Sequence, residues 1–511
     1  MRRTTTPLLA VIMLGHAALA MPTLAATGPQ PLDPATVRKR QRAMIDELEE
    51  RWALACEQLS TNREPVSLEA AIRTGLLNNP ILAKTWSDWQ ATTWQAVAIR
   101  REWSPSLAGN NPVPDAIAYR NQRYYQSSTN NSTNKTTITN TNQNMLYSAP
   151  RLQLNWTFLD PTRTPRLKAT LQNQTAQQLL FDVSARNLVL EIQTAYYKLQ
   201  ELAFLRKDYT RIYELTRAQV RKAVALRRSG AGGQADVDQL RAQLLKQLVQ
   251  LIAIYEQEVN AADQLAYTMS MQPGKLVMAS DPMTLQGSWS DSLNSTIQEG
   301  LRMREEIKAA EAKADALGWS SRAQLSRYLP NLAFLGQSSI ETQNAGQSNV
   351  GLPGDGSTNS SSQLRNDLGL NFNWVFFNGG IYSAQAKALR EQASASQADA
   401  DLQKYLVTLQ IQTSYVAFTS SMMTVDTAQE QLKESRRSVD YTSRHYNGST
   451  IDATTFIQNI SNYLDAANSY SSAVRKHNIA IAGLYRYSAR WPQLTQAEVQ
   501  QRSGKLSNQN R

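Results

Sequence analysis

Cysteine is almost missing: the 511 residues contain one, Cys56. A lone thiol can make neither an internal disulfide nor a thiolate metal cluster. Its place in a charged helical stretch reads as a small buried apolar residue. Histidine is nearly as scarce, and past residue 26 only His445 and His477 occur, on separate helical stretches. No run of about 18 apolar residues occurs anywhere, which excludes a membrane-crossing helix. The glycine-rich "GAGG" at 230–233 lacks the lysine and hydroxyl residue of a phosphate loop. The net charge is +11, yet no aromatic-plus-basic nucleic-acid motif accompanies it. We therefore expect no enzyme, no cofactor, no metal site and no nucleic-acid partner.

The N-terminus reads as an export signal over residues 1–26. Arg2 and Arg3 precede the short apolar "PLLAVIML", and small-residue cleavage sites follow at 18–20 or the later "LAA". The twin arginine lacks the rest of its motif, so the general export route is expected. No cysteine follows the signal to carry a lipid anchor. Residues 27–65 read as a Pro-rich linker and a charged helix over about 34–60, with Asp33 as cap and Pro34 in its first turn. Residues 491–511 form a polar, flexible tail.

Between these ends the period of the sequence changes. "LNFNWVFFN", Leu370 to Asn378, alternates apolar and other residues, as a strand with one greasy side would. "LQLNWTFLD", Leu152 to Asp160, does the same, with tryptophan at the matching place. Each is the second strand of a pair: about 105–123 with 147–160, and about 329–341 with 364–378. The intervening tracts, Tyr124–Asn144 and "ETQNAGQSNVGLPGDGSTNSSSQ", are rich in Ser, Thr and Asn and read as long exposed hairpin loops.

Long helices follow each pair. From Thr162 to Arg228 there is no glycine and no proline beyond Pro165, about 100 Å of helix if continuous. Phe181, Ala185, Leu188, Ile192, Ala195, Leu199 and Leu202 step by four and three, a heptad seam. A break at Gly230 leads into a return helix to about 271. The second half has a helix over about 381–445, a break at "YNGST" and a return to about 487. "REWSPSL" faces "SRYLPNL", "NWTF" faces "NWVF", "IQTAY" faces "IQTSY" and Gly230 faces Gly448, at offsets of 225, 218, 219 and 218. The chain is thus a duplication, residues 66–275 and 276–490, of a helix, strand hairpin, long helix, long helix unit.

The expected fold is mainly α with a small membrane β part. Four strands with bare edges leave backbone groups unsatisfied in lipid, so several chains must close one barrel; three would supply twelve strands, within the known range. Trp156, Phe158, Trp374, Phe376 and Phe377 would make an aromatic girdle at the lipid interface.

The order and duplication of "SLEAAIRTGLLNNP", "NWTF", "NWVFFNGG", "SG…ADV" and "YNGST" resemble the TolC-like outer-membrane efflux and secretion channels, over roughly residues 66–490. The resemblance implies a homotrimer with a 12-stranded β-barrel in outer-membrane lipid and a 12-helix periplasmic α-barrel. It also implies a periplasmic adaptor (membrane fusion) protein and an inner-membrane RND, MFS or ABC transporter as partners. The function expected is a passive exit channel of a tripartite efflux pump or type I secretion system. The alternative is a periplasmic coiled-coil scaffold or adaptor without a pore. In the family the helix turns form the periplasmic entrance, here Gly230, Asp236 and Asp238 on one turn and Gly448 and Asp452 on the other. Asp236 matches the family's acidic position, whereas on the second turn that position falls on Thr454 or Thr455. Asp236 and Asp238 also suit a helix N-terminus electrostatically. Eight bases against two acids crowd residues 206–228; Arg221, Lys222, Arg227 and Arg228 are candidates for docking the adaptor, or a solvated helix end.

Overall fold

A computed structural model describes residues 47, 50–51, 63–110, 118–148, 150–272, 274–349, 356–446 and 451–491. The export signal, Cys56, nearly all of the 34–60 stretch, Gly448 and the tail past Trp491 lie outside the described residues. The chain divides at Arg63 into two units, and everything below concerns the second.

Two short helices open the unit, α1 (Leu68–Asn78) and α2 (Pro80–Arg101). Ser67 caps the first by accepting the Ala70 N–H, and Asn79 caps the second with Pro80 in its first turn. The long helices α3 (Arg163–Arg228) and α4 (Gln234–Thr268) follow the first strands. The second half repeats the set as α5 (Leu293–Met303), α6 (Glu305–Ser326), α7 (Ile381–His445) and α8 (Ala453–Tyr487). Adding 225 to the bounds of α1 and α2 gives those of α5 and α6, and adding 219 to those of α4 gives those of α8. Short strands β1 (Arg63–Val66) and β6 (Leu276–Ala279) pair beside the core. No helix among the described residues is long and apolar enough to cross a membrane.

That core contains a duplicated close approach. A Cβ added to Gly75 would lie 2.4 Å from Ile192 Cδ1, and one added to Gly300 would lie 2.5 Å from Ile411 Cδ1. Each glycine admits the isoleucine of "IQTAY" or "IQTSY", and both isoleucines are fully buried. The repeated motif is thus the knob of a repeated hole.

The strands are β2 (Ser106–Asn110), β3 (Ala118–Asn130), β4 (Lys135–Ser148), β5 (Arg151–Leu159), β7 (Asn331–Asn349) and β8 (Gly356–Asn373), all antiparallel. β4 and β5 run along β7 in one register, Ser148 opposite Thr342 and Arg151 opposite Ser339. Between them the Ile340 N–H donates to the Pro150 carbonyl at 3.1 Å. The sheet is therefore four strands wide: β2 with β3, β5 with β4, β7, then β8.

This corrects the reading of the polar tracts as loops. Residues 118–130 and 135–148 form a ladder closed by a tight turn, with Asn134 in the left-handed region, and β7 and β8 stay paired from Asn331 opposite Asn373 to Ser348 opposite Gly356. Ladder hydrogen bonds belong to the backbone, so Ser, Thr and Asn side chains do not forbid a strand once a turn sets the register. The strands accordingly overrun the limits of about 123 and 341. The opposite correction applies to the last strand: it ends at Asn373, so Trp374, Phe376 and Phe377 lie beyond it. Gly379 and Gly380, both at positive φ, then turn the chain into α7.

Candidate functional surfaces: the sheet face, its tryptophans and the helix turns

Register sorts the side chains of the sheet into two faces. Phe372, Leu370, Leu368 and Leu364 stand opposite Leu332, Phe334, Gly336 and Ile340 on β7. Phe334 in turn faces Trp156, Gly336 faces Leu154, and Leu154 faces Leu107 on β2. One face is thus apolar across all four strands, interrupted by the Ser338–Asn366 pair, and much of it is open. The other carries Asn155, Gln153, Gln337, Asp367, Asn371 and Arg365, with Arg365 Nε 2.9 Å from Asp367. From Leu364 to the end of β8 at Asn373 is about 30 Å of strand, or about 23 Å of height at a tilt of about 40°, close to the apolar band of a membrane barrel. The outer strands β2–β3 and β8 each have one edge without a partner among the described residues.

The two tryptophans each make a hydrogen bond to a main-chain carbonyl. The Trp156 indole N–H donates to the Trp103 carbonyl at 3.0 Å, and that of Trp374 donates to the Tyr328 carbonyl at 2.9 Å. Trp103 and Tyr328 lie just after α2 and α6, so each indole ties the base of a strand to the end of a helix and satisfies a helix-terminal acceptor. Phe158 packs 5.9 Å from Trp156, and Trp374 lies 6.5 Å from Phe372 and 5.9 Å from Phe376. Phe376 and Phe377 are both fully open; outside the strand, alternation no longer hides every second residue.

At the far end of the long helices, α3 closes with Gly230 in the left-handed region and the Ala231 N–H on the Leu226 carbonyl. Asp236 is half-buried in the first turn of α4, and Asp238 is exposed and accepts from Gln234 at 2.7 Å. Asp452 caps α8 by accepting the Thr455 N–H at 2.8 Å, and its bonds to Thr455 hold its carboxyl below the usual range. The two turns sit side by side: Thr454 Oγ1 reaches Gln239 at 3.5 Å. Sequence reasoning missed the residue between them, Tyr446. It is buried at the end of α7, with Lys222 Nζ 5.9 Å from its ring. Burial first, then the charges of Asp236 and Asp452, push its hydroxyl up.

Half of the basic crowd on α3 is engaged inside the chain. Arg206 pairs with Glu258 at 2.6 Å, Arg211 approaches Asp440 at 3.8 Å and lies over the Tyr463 ring, and Arg217 reaches Glu214 at 4.0 Å. Arg221, Arg227 and Arg228 are exposed.

A buried ionic cluster, also missed, joins α3 to the second repeat. Arg186 Nε donates to Glu305 at 2.9 Å, and Arg304 Nε donates to Glu306 at 2.7 Å. Arg486 binds Glu306 and also donates from Nε to Asn187 at 2.8 Å. Burial would raise the Glu306 carboxyl, but Arg486 and Arg304 hold it low. Beside them burial, then Glu305, push Asp182 up to about 6, against the pull of Arg186. Single charged letters scattered over 300 residues carry no spacing that a sequence reader could use.

Neither histidine has a catalytic setting. His477 is buried, with Nδ1 3.0 Å from Ser421 Oγ and its basicity lowered by burial. His445 stacks on Tyr441 at 4.3 Å. Among the described residues no group of His, Cys, Asp and Glu could hold a metal ion.

Residues 296–490 match the family model described as outer membrane efflux protein. No curated protein sequence matches the chain. The fold is similar to that of the Campylobacter jejuni CmeC outer membrane channel, with a TM-score of 0.67 and 16% identity over 87% of this chain and 93% of that one. The outer-membrane channel OprN matches with a TM-score of 0.64 and 16% identity, covering 84% and 93%. The Vibrio cholerae outer membrane protein VceC matches with a TM-score of 0.61 and 12% identity, covering 83% and 96%. The outer-membrane location and the family expected from the repeated motifs accord with these matches. Residues 296–490 carry the outer membrane efflux protein domain, and the chain around them has the fold of TolC-like outer-membrane channels.

Proposed function

We propose that the protein is the outer-membrane exit channel of a tripartite efflux pump or type I secretion system, working as a homotrimer. The observation that carries this reading is the four-stranded sheet: largely apolar across one face, polar across the other, and without a partner along either outer edge among the described residues. In hydrocarbon those edges must pair, and β8 of one copy against β2–β3 of the next pairs both. Three copies make a twelve-stranded barrel, with Leu370, Phe372, Trp156 and Phe158 toward lipid and Asn371, Gln337 and Gln153 toward the lumen. Helices of about 100 Å then continue the wall into the periplasm as twelve long helical passes.

The channel does no chemistry. Substrate arrives from an inner-membrane RND, MFS or ABC transporter through a periplasmic adaptor. Gly230, Asp236, Asp238 and Asp452 lie at the periplasmic entrance. Asp236 and Asp238 are the acids there not engaged as a helix cap, the role Asp452 takes at α8. Arg221, Lys222, Arg227 and Arg228 border the same end and offer a positive docking rim.

Purified protein in planar bilayers tests the reading: steady single-channel conductance from a heat-modifiable trimer recovered in outer-membrane fractions is expected. A soluble monomeric species without conductance would overturn it.

A further inference from the structure

The internal duplication says what covers the open face of α7. Within the chain, α3 is clasped on two sides by the second repeat. Lys168 Nζ lies 4.2 Å above the Trp319 ring of α6. Arg186 binds Glu305 of α6, and Arg486 of α8 binds Asn187 of α3. Arg186 and Arg486 line one small cleft between α3 and α8.

Each of these positions has a counterpart that lacks its cover. Seven of the ten buried residues of α7 fall on buried residues of α3 at an offset of 219, among them Ala400 on Phe181, Val407 on Leu188, Ile411 on Ile192 and Phe418 on Leu199. At that offset Arg186 becomes Tyr405 and Lys168 becomes Lys387. On the other side Arg486 of α8 becomes Tyr267 of α4, and at 225 Trp319 of α6 becomes Trp94 of α2. Arg186 and Arg486 are 6% and 4% exposed, whereas Tyr405 and Tyr267 are 76% and 77% exposed. Trp319 is half-buried; Trp94 is 61% exposed. The helices that cover α3 have their equivalents on the opposite flank of the same chain, where α7 cannot use them. Only a second copy can supply them.

We propose that α7 of each copy packs against α2 and α4 of the next, with Tyr405 meeting Tyr267 and Lys387 lying over the Trp94 ring. This rests on the trimeric channel reading and adds its seam. The lysine–tryptophan contact is kept between copies. The ionic cluster is not: two of its three arginines, Arg186 and Arg486, are replaced by tyrosines. Tyrosine is favoured at the centre of protein interfaces, where buried charge is depleted, and the lysine–ring contact fixes register without a buried ion pair. The contact is head-to-tail, so successive copies close a ring.

Cross-linking tests the seam. Cys56→Ser removes the native thiol, and Tyr405→Cys with Tyr267→Cys is then treated with a short dithiol-reactive cross-linker in membranes. Covalent species up to three chains are expected on denaturing gels, and none from either single variant. A heat-modifiable trimer that gives no covalent product would overturn the pairing while leaving the trimer standing. Absence of any trimer from the Cys56→Ser protein alone would overturn the underlying reading. If the double variant does not assemble, Lys387 decides. Lys387→Glu should lower the temperature at which the trimer dissociates by several degrees, while Lys387→Arg leaves it unchanged; equal temperatures would overturn the assignment.

Discussion

The two repeats share an element order and a register of buried residues, yet they line their flanks with different chemistry. Where α3 meets α6 and α8, three arginines and Glu305 are buried beside the half-buried Glu306. At the positions matching Arg186, Glu306 and Arg486 stand Tyr405, Ile81 and Tyr267, all open, while Arg304 is matched by the buried Asn79. A buried ion network is costly to desolvate and unforgiving of a missing partner. Placed inside one chain it always finds its complement. The same duplicated backbone therefore carries a polar seam where the chain is continuous and an apolar one where it is not.

Breaking the polar seam should have the largest effect. Glu306→Ala leaves Arg304 and Arg486 without their shared carboxylate and should cost about 3–5 kcal/mol, read as a fall in unfolding temperature. Ile81→Ala, its counterpart, should leave the folding of the helices nearly unchanged. Equal losses would erase the contrast between the seams.

Next come the paired glycines. Gly300→Ala should cost about 1–3 kcal/mol, more than Gly75→Ala. Its new methyl meets Ile411 and also the rigid Tyr487 carbonyl at 3.1 Å, whereas at Gly75 the closest obstacle is a rotatable side-chain end. Denaturant midpoints of the two variants measure the difference.

A smaller, pH-dependent effect belongs to Asp182. Its folded carboxyl titrates at about 6, above the ordinary 3.8. Between those values the folded state holds a proton that the unfolded chain releases, so this group's contribution to stability falls as pH rises through that window. Asp182→Asn should flatten the fall and raise stability at neutral pH by about 1 kcal/mol, after allowing for its partial contact with water. Thermal scans from pH 4 to 8 decide.

The smallest expected change is at the strand bases. Trp374→Phe and Trp156→Phe each remove one indole hydrogen bond, about 0.5–1.5 kcal/mol. The two should match, because Tyr328 and Trp103 offer equivalent carbonyls. Trimer dissociation temperatures in detergent compare them.

The helices were legible because they obey local rules. Glycine-free heptads fixed α3 and α7, and Gly230 stopped the first where a left-handed residue was needed. The duplication was legible because its landmarks, Pro105 and Pro330, Trp156 and Trp374, kept their spacing. The upper strands were not legible. "TNNSTNKTTITNTNQN" has no apolar alternation, since neither face of that hairpin needs a core, and its pairing is a backbone matter. The hydrogen-bonding role of the tryptophans was hidden as well, because the acceptor is a main-chain carbonyl that any residue supplies. Tyr446 was overlooked for a simpler reason: its burial depends on α4 and α8 arriving beside it, which no local pattern announces.

Residues 269–292 between α4 and α5, with β6 among them, join one repeat to the next. The consequence is one of effective concentration. A tether of that length holds the two halves together at roughly millimolar local concentration, whatever the abundance of the chain in the cell. The seam inside the molecule therefore forms in a unimolecular step and can carry a demanding buried network. The seam between molecules must form from dilute, separately arriving copies.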